Sequence, residues 1–267
     1  MLETRGLSVR FGGHVAVDAV SCAFAPGTLT AIVGPNGAGK TTYFNLISGQ
    51  LKATSGEVLL NGRSLAGLSP SARTRAGLGR AFQLTNLFPN LSVLENVRLA
   101  VQATQAGPHR RGLNLWSIWR DHTALTERAE TILQEVAMAD QADQPVSSLP
   151  HGDQRKLEVA LLMALEPQVY MFDEPTAGMS ADEAPVILNL IRRLKATGRY
   201  TILLVEHKMD VVRELADRIV VLHNGQCVAD GLPQEVMASA IVQQAYCLLY
   251  TSPSPRDTER SRMPSSA

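Results

Sequence analysis

The chain has 267 residues, enough for one large domain or two small ones, and its 45% hydrophobic content allows a sizeable buried core. Its 25 basic and 25 acidic side chains give a formal net charge of zero, so no basic field marks nucleic acid as the main partner. No run approaches the roughly 18 apolar residues of a membrane span, and residues 1–5 carry no apolar signal region, which predicts a soluble protein able to dock on a membrane protein.

Three cysteines, Cys22, Cys227 and Cys247, stand far apart without CxxC spacing. That argues against a disulfide framework or a zinc site and fits a reducing cytoplasm. In chain order, residues 2–11 alternate loosely as a strand ending at Phe11, and residues 15–24 read as a second strand before the Pro26-Gly27 turn. Residues 28–33 form a strand candidate and residues 42–48 a helix candidate. Between them lies Gly34-Pro35-Asn36-Gly37-Ala38-Gly39-Lys40-Thr41-Thr42, which fits Gly, four residues, Gly-Lys-Thr. Glycines let the backbone N–H groups curl toward phosphate oxygens. Lys40 adds a cation, Thr41 a hydroxyl for Mg²⁺, and the helix N-terminus that follows favours an anion. Asn36, Gly37, Ala38, Gly39, Lys40, Thr41 and Thr42 are therefore candidate nucleotide-binding residues.

Residues 56–60 read as a short strand closed by an Asn61-Gly62 hairpin turn. Ser69-Pro70 is a helix start, with serine as the cap and proline at the first helical position. Residues 78–82 lead as a strand into Gln83, and Ser92-Val93-Leu94-Glu95 is a capping box for a helix to about Gln105. Residues 107–112 are a basic, breaker-rich loop. Residues 122–138 and 152–165 carry apolar residues at helical spacing. The stretch of about 84–165 thus reads as a helical subdomain inserted in an α/β core.

Residues 168–172 form a buried strand ending in Asp173-Glu174. Two carboxylates at a strand end suit phosphoryl chemistry: Asp173 to hold Mg²⁺ and Glu174 to orient or deprotonate the attacking water. Ser180-Ala181-Asp182-Glu183 is a second capping box, with Pro185 moving the helix start toward Ala184. Residues 200–205 form another buried strand and residues 208–215 a helix. Residues 218–222 and 226–229 make a hairpin around Asn224-Gly225, and two short helices are expected over residues 232–246. There is no internal repeat and no heptad.

With its motifs in this order, the chain resembles the ATP-binding subunits of ABC transporters over residues 2–246. Phe11 resembles the adenine-stacking aromatic of that family, Gln83 its Q-loop glutamine, and Leu149-Pro150-His151-Gly152-Asp153-Gln154 its signature loop. Asp173-Glu174 resembles the end of its Walker B strand, Ala177-Gly178-Met179-Ser180 its D-loop, and His207 its switch histidine. The resemblance implies a P-loop NTPase core with a mixed sheet, an antiparallel β subdomain and an inserted helical subdomain. It implies ATP and Mg²⁺ as cofactors, with Lys40, Glu174 and His207 catalytic and Thr41, Gln83 and Asp173 around the metal. Phe11, Val17, Gly152 and Asp153 would join the loop as nucleotide contacts, the last two across a dimer of ATP-binding subunits. The implied partners are that second subunit, transmembrane permeases and, indirectly, a substrate-binding protein, at the cytoplasmic face of the plasma membrane. Pro150 and His151 stand where the family usually has serine and glycine, and Ser180 stands where it has aspartate, which implies slower hydrolysis.

Within the family, Arg10-Phe11-Gly12-Gly13, Thr85-Asn86-Leu87-Phe88-Pro89 and Val205-Glu206-His207-Lys208-Met209-Asp210 resemble the ATPases of branched-chain amino-acid importers. Those serving urea or short amides, or lipopolysaccharide export, look similar. A non-transport ABC ATPase and a non-hydrolysing regulatory subunit are the other classes. Residues 247–267, rich in Ser, Pro and Arg, read as a disordered tail. Codons for its first eleven residues can be written as a transposon-type sequencing adapter, so the expectation is a segment foreign to the natural gene.

Overall fold

In a computed structural model of the chain, residues 1–81, 87–105, 122–180 and 182–239 are described here. Two sheets share the work. The first is antiparallel, in the order β2-β1-β4-β5, from β1 (Leu2–Phe11), β2 (His14–Phe24), β4 (Ser55–Leu60) and β5 (Arg63–Ser64). The second runs β10-β9-β3-β8-β7-β6, from β3 (Leu29–Val33), β6 (Leu78–Ala81), β7 (Val169–Asp173), β8 (Thr201–Val205), β9 (Arg218–His223) and β10 (Gln226–Gly231). Its strands are parallel except for the β9–β10 hairpin.

Continuous apolar runs make the central strands, because both faces of that sheet are covered. The side-chain alternation of a strand then divides the core in two. Tyr170, Phe172, Ile202 and Leu204 pack with the helices on one face. Val169, Met171, Leu203 and Val205 pack with the antiparallel sheet and α1 (Lys40–Ser48) on the other.

The helical region comprises α3 (Val93–Gln105), α4 (His122–Glu135) and α5 (His151–Ala164), after α2 (Pro70–Arg75). Both expected helix starts are built as the sequence indicates. Ser69 Oγ accepts the Ala72 N–H, and Ser92 and Glu95 exchange side-chain-to-backbone hydrogen bonds at 2.9 and 3.1 Å. Arg73 of α2 donates to the carbonyls of Leu46 and Ile47 at the end of α1, where a cation meets the helix's negative pole. Leu125, Ala129, Ile132, Leu133 and Val136 are buried, as their spacing requires.

After β7 come α6 (Ala184–Ala196), α7 (Met209–Leu215) and α8 (Pro233–Ala238). Ser180 and Glu183 form their capping-box bonds, yet the helix starts at Ala184, with Pro185 inside its first turn. Among the described residues no helix is long and apolar enough to cross a membrane. Phe82, Gln83, the 107–112 loop, the second short helix expected up to residue 246 and the 247–267 tail lie outside the described residues.

Candidate nucleotide site

The loop between β3 and α1 is shaped by glycine. Gly39 sits at φ 94° immediately before the helix, and a Cβ there would fall 2.4 Å from the Ala16 carbonyl oxygen. At Gly34 a Cβ would lie 2.1 Å from the Leu222 oxygen, so this backbone passes too close to β9 for any side chain. The β9–β10 turn braces the loop, with the Gly225 N–H donating to the Ala38 carbonyl at 3.1 Å. Lys40 is 6% exposed, and its Nζ donates to the carbonyls of Gly34 and Pro35 at 2.8 and 3.0 Å. Burial pulls the ammonium pKa below its ordinary value, against the opposing pull of Glu174 and Asp173.

Those carboxylates stand at the end of β7. Asp173 is bound by Arg80 of β6 at 2.7 Å, both side chains being nearly buried. Arg80 also donates to Asn45 Oδ1 and Ser48 Oγ of α1, which ties the acidic strand end to the loop's helix. Glu174 adopts φ 50°, a left-handed conformation costing about 1–2 kcal/mol for a residue with a Cβ. It is held there by its N–H to Val205 O at 2.9 Å, and its carbonyl accepts from Arg155 and from the Ala177 N–H. Its Oε1 lies 2.6 Å from His207 Nε2. The His207 N–H donates to Glu206, a buried carboxylate that also accepts from Thr176 Oγ1.

Lys40, Glu174 and His207 meet in an open cleft of about 400 Å³, whose lining does not include Asp173. Residues 36–42 form its floor, with Glu174 and His207 on one wall and Phe11, His14 and Ala16 on another. Phe11 is half exposed. An apolar residue in that position invites a flat ring, while the N–H-rich floor invites phosphate.

The ABC transporter family matches the chain over residues 17–177. The chain belongs to that family. It is an ATP-binding cassette whose hydrolysis of ATP is coupled to transport. The cassette is 37% identical, over 92% of its length and 97% of the relative's, to the high-affinity branched-chain amino acid transport ATP-binding protein LivG of Escherichia coli K12. It is 35% identical over the same shares to BraF, the corresponding protein of Pseudomonas aeruginosa. Among solved structures, MJ1267, an ATP-binding cassette of an ABC transporter in its ADP conformation, matches with a TM-score of 0.76 and 29% identity. That match covers 92% of this chain and 98% of MJ1267. The cassette MJ0796, solved as a dimer with ADP and Pi, shares the fold at 24% identity and a TM-score of 0.73, over 87% of this chain and 99% of that one.

Not every expected residue of the cassette reaches the cleft. Val17 is fully buried in the apolar core, so this part of the wall is made by His14 and Ala16 instead. The burial of β2 explains the difference. Val17 faces inward with an odd number, and Val20, Cys22 and Phe24 face inward with even ones. The strand changes phase at Ala19, at φ 49°. The same alternation puts His14 and Ala16 opposite Val17, which is the signal that identifies them.

Gly152 and Asp153 lie at the start of α5 and are not among the residues that line the cleft. Pro150 caps that helix without a side-chain bond, and His151 is exposed. A Cβ on Gly152 would fall 2.0 Å from the Glu183 carboxylate. Asp153 accepts from Lys156 at 2.8 Å and Gln141 at 3.0 Å. Gln83 lies outside the described residues.

Proposed function

We propose that the cassette powers import of branched-chain or related amino acids. The reading is supported by its 37% identity to LivG along nearly the whole of both chains. The observation that carries the reaction is the Glu174–His207 pair lining the same cleft as Lys40. On this reading the triphosphate rests on the N–H groups of residues 36–42, with Lys40 turning from the Gly34 and Pro35 carbonyls to the terminal phosphates. Phe11 carries the adenine. Glu174 accepts the proton of the attacking water, and His207 fixes its carboxylate and reaches the γ-phosphate.

The donors near the loop are oxygens, the Thr41 hydroxyl and the Asp173 carboxylate, as a hard divalent cation prefers. Thr41, Asp173 and Gln83 would hold Mg²⁺, which would supply charge neutralisation on the phosphate oxygens. Gly152 and Asp153 are not among the residues lining the cleft of their own chain, which favours their use in trans. The N-terminus of α5 then completes the site of a second ATP-binding subunit, and closing the two halves excludes water. Transmembrane permeases at the cytoplasmic face of the membrane would take up that motion.

Reconstitution in proteoliposomes with candidate permeases and binding protein tests the cargo. ATP-dependent uptake of leucine, isoleucine or valine is expected. Uptake of urea or a short amide with none of these three would overturn the assignment.

A further inference from the structure

Away from the cleft, β2 and β10 meet where the two sheets join. Cys22 Sγ, Cys227 Sγ and a carboxylate oxygen of Asp230 lie there within 4.8 Å of one another. Cys22 is buried in the apolar cluster beneath the antiparallel sheet. Cys227 is partly exposed and packs on the edge of the same cluster. Their separation in sequence gives no sign of this meeting, which pairing between β9 and β10 and docking on β2 bring about. The third member is already engaged: Arg218 places Nε and Nη2 on the two oxygens of Asp230 and Nη1 on the Ala23 carbonyl. A guanidinium on both carboxylate oxygens disfavours a cation at this cluster and leaves the two sulfurs facing each other.

We propose that Cys22 and Cys227 form a reversible thiol–disulfide pair, oxidised by peroxide, that links the antiparallel sheet to the β9–β10 hairpin. Cys227, the more accessible sulfur, attacks one peroxide oxygen. An S–O bond forms, the O–O bond breaks, and the departing hydroxide takes up a proton to give water. Cys22 sulfur then attacks the resulting sulfenic sulfur. The S–S bond forms, the S–O bond breaks, and the oxygen leaves as a second water with the Cys22 proton. The two thiols lose two electrons and peroxide gains them. A small dithiol reverses the step by exchange.

The environment divides the two roles. The Cys22 thiol, hydrogen-bonding toward Cys227, lowers the Cys227 pKa, and the Arg218 charge adds to this, against burial and Asp230. That same contact, with burial, raises Cys22, which keeps its proton until it is consumed. Bond formation draws the sulfurs to about 2.05 Å. The hairpin that would be drawn in is the one whose Gly225 is bonded both to Ala38 of the phosphate loop and to Asp18 of β2. A cytoplasmic disulfide is normally transient and redox-sensing, which fits a pair on the hairpin that braces the phosphate loop.

The experiment uses the full chain with Cys247→Ser, which leaves these two thiols alone. The folded, reduced protein is treated with hydrogen peroxide, free thiols are blocked with N-ethylmaleimide, and intact mass and a non-reducing peptide map are read. The expected result is loss of the mass of two hydrogens, no maleimide adduct, and a linked Cys22–Cys227 peptide that dithiothreitol releases. In a Cys22→Ala chain, Cys227 should instead be trapped by dimedone as the sulfenic acid. The proposal is overturned by two maleimide adducts after peroxide, by stepwise over-oxidation of Cys227 with Cys22 free, or by a link that forms only in urea. Protection of both thiols by one equivalent of Zn²⁺, with no link formed in its absence, would replace it with a metal centre.

Discussion

Glu174 Oε1 and His207 Nε2 lie 2.6 Å apart although the two residues are 33 positions apart in the chain. The cause is strand register. β7 and β8 are parallel neighbours with Asp173 opposite Val205, so the first residues past each strand end emerge side by side. Open α/β sheets bind ligands at the carboxyl ends of their strands, and the phosphate loop follows β3, the strand next to β8. The Thr176–Glu206 hydrogen bond at 2.8 Å then ties the two loops together beneath the pair.

Glu174→Gln keeps the shape of the carboxyl group and removes its basicity. Turnover should fall by about 10²–10⁴, the usual contribution of a general base, while ATP affinity stays unchanged. Bound nucleotide should then accumulate in a closed dimer. Phosphate release, nucleotide titration and size-exclusion chromatography read the three effects, and hydrolysis at the unaltered rate would remove Glu174 from the role.

Lys40→Ala deletes the cation and leaves the Gly34 and Pro35 carbonyls without the donor they now share. Nucleotide binding should be lost in a titration with fluorescent ATP, and the circular dichroism spectrum should remain that of the parent. Normal affinity in the variant would contradict the assignment of the loop.

Arg80→Met tests the link between strand end and loop helix. The side chain is 5% exposed and its partner Asp173 is 8% exposed. Removing one member of such a pair leaves a buried charge uncompensated, at about 3–5 kcal/mol. Methionine keeps an unbranched stem but removes the guanidinium carbon that lies 5.4 Å from the Phe44 ring centroid, so the loss reports on charge, hydrogen bonding and this cation–π contact together. Urea unfolding should show it as a lower midpoint with an unchanged slope; an equal midpoint would place Asp173 in solvent contact.

Where local chemistry dictated structure, the sequence was informative. Glycine in the phosphate loop, the Ser92–Glu95 box and the apolar runs of β7 and β8 each admit few conformations, and each forms as read. The shortfalls are non-local. Val17 is in the core because β2 shifts phase at Ala19, and simple alternation gives no warning of such a shift. Arg80 carries no motif, and its importance comes from a parallel pairing with β7 across a long insertion. Cys22 and Cys227 meet only because the hairpin folds onto the other sheet. The assignment of Gly152 and Asp153 rested on resemblance, and the single chain has no cleft-facing role for them.

Asp153 offers a pH test independent of nucleotide. Burial raises its carboxyl pKa, but hydrogen bonds from Lys156 and Gln141 outweigh this and hold it below the ordinary 3.8. A carboxylate with a depressed folded pKa stabilises fully above its unfolded value, and that contribution disappears as pH falls through the folded pKa. Asp153→Asn presents an amide N–H where two donors converge, so it should cost about 1–3 kcal/mol near pH 7. Urea midpoints of parent and variant should converge as pH is lowered from about 5 toward 3, because the parent alone loses its charge there. A gap that stays constant across this window would show that the Asp153 charge contributes nothing to holding the start of α5.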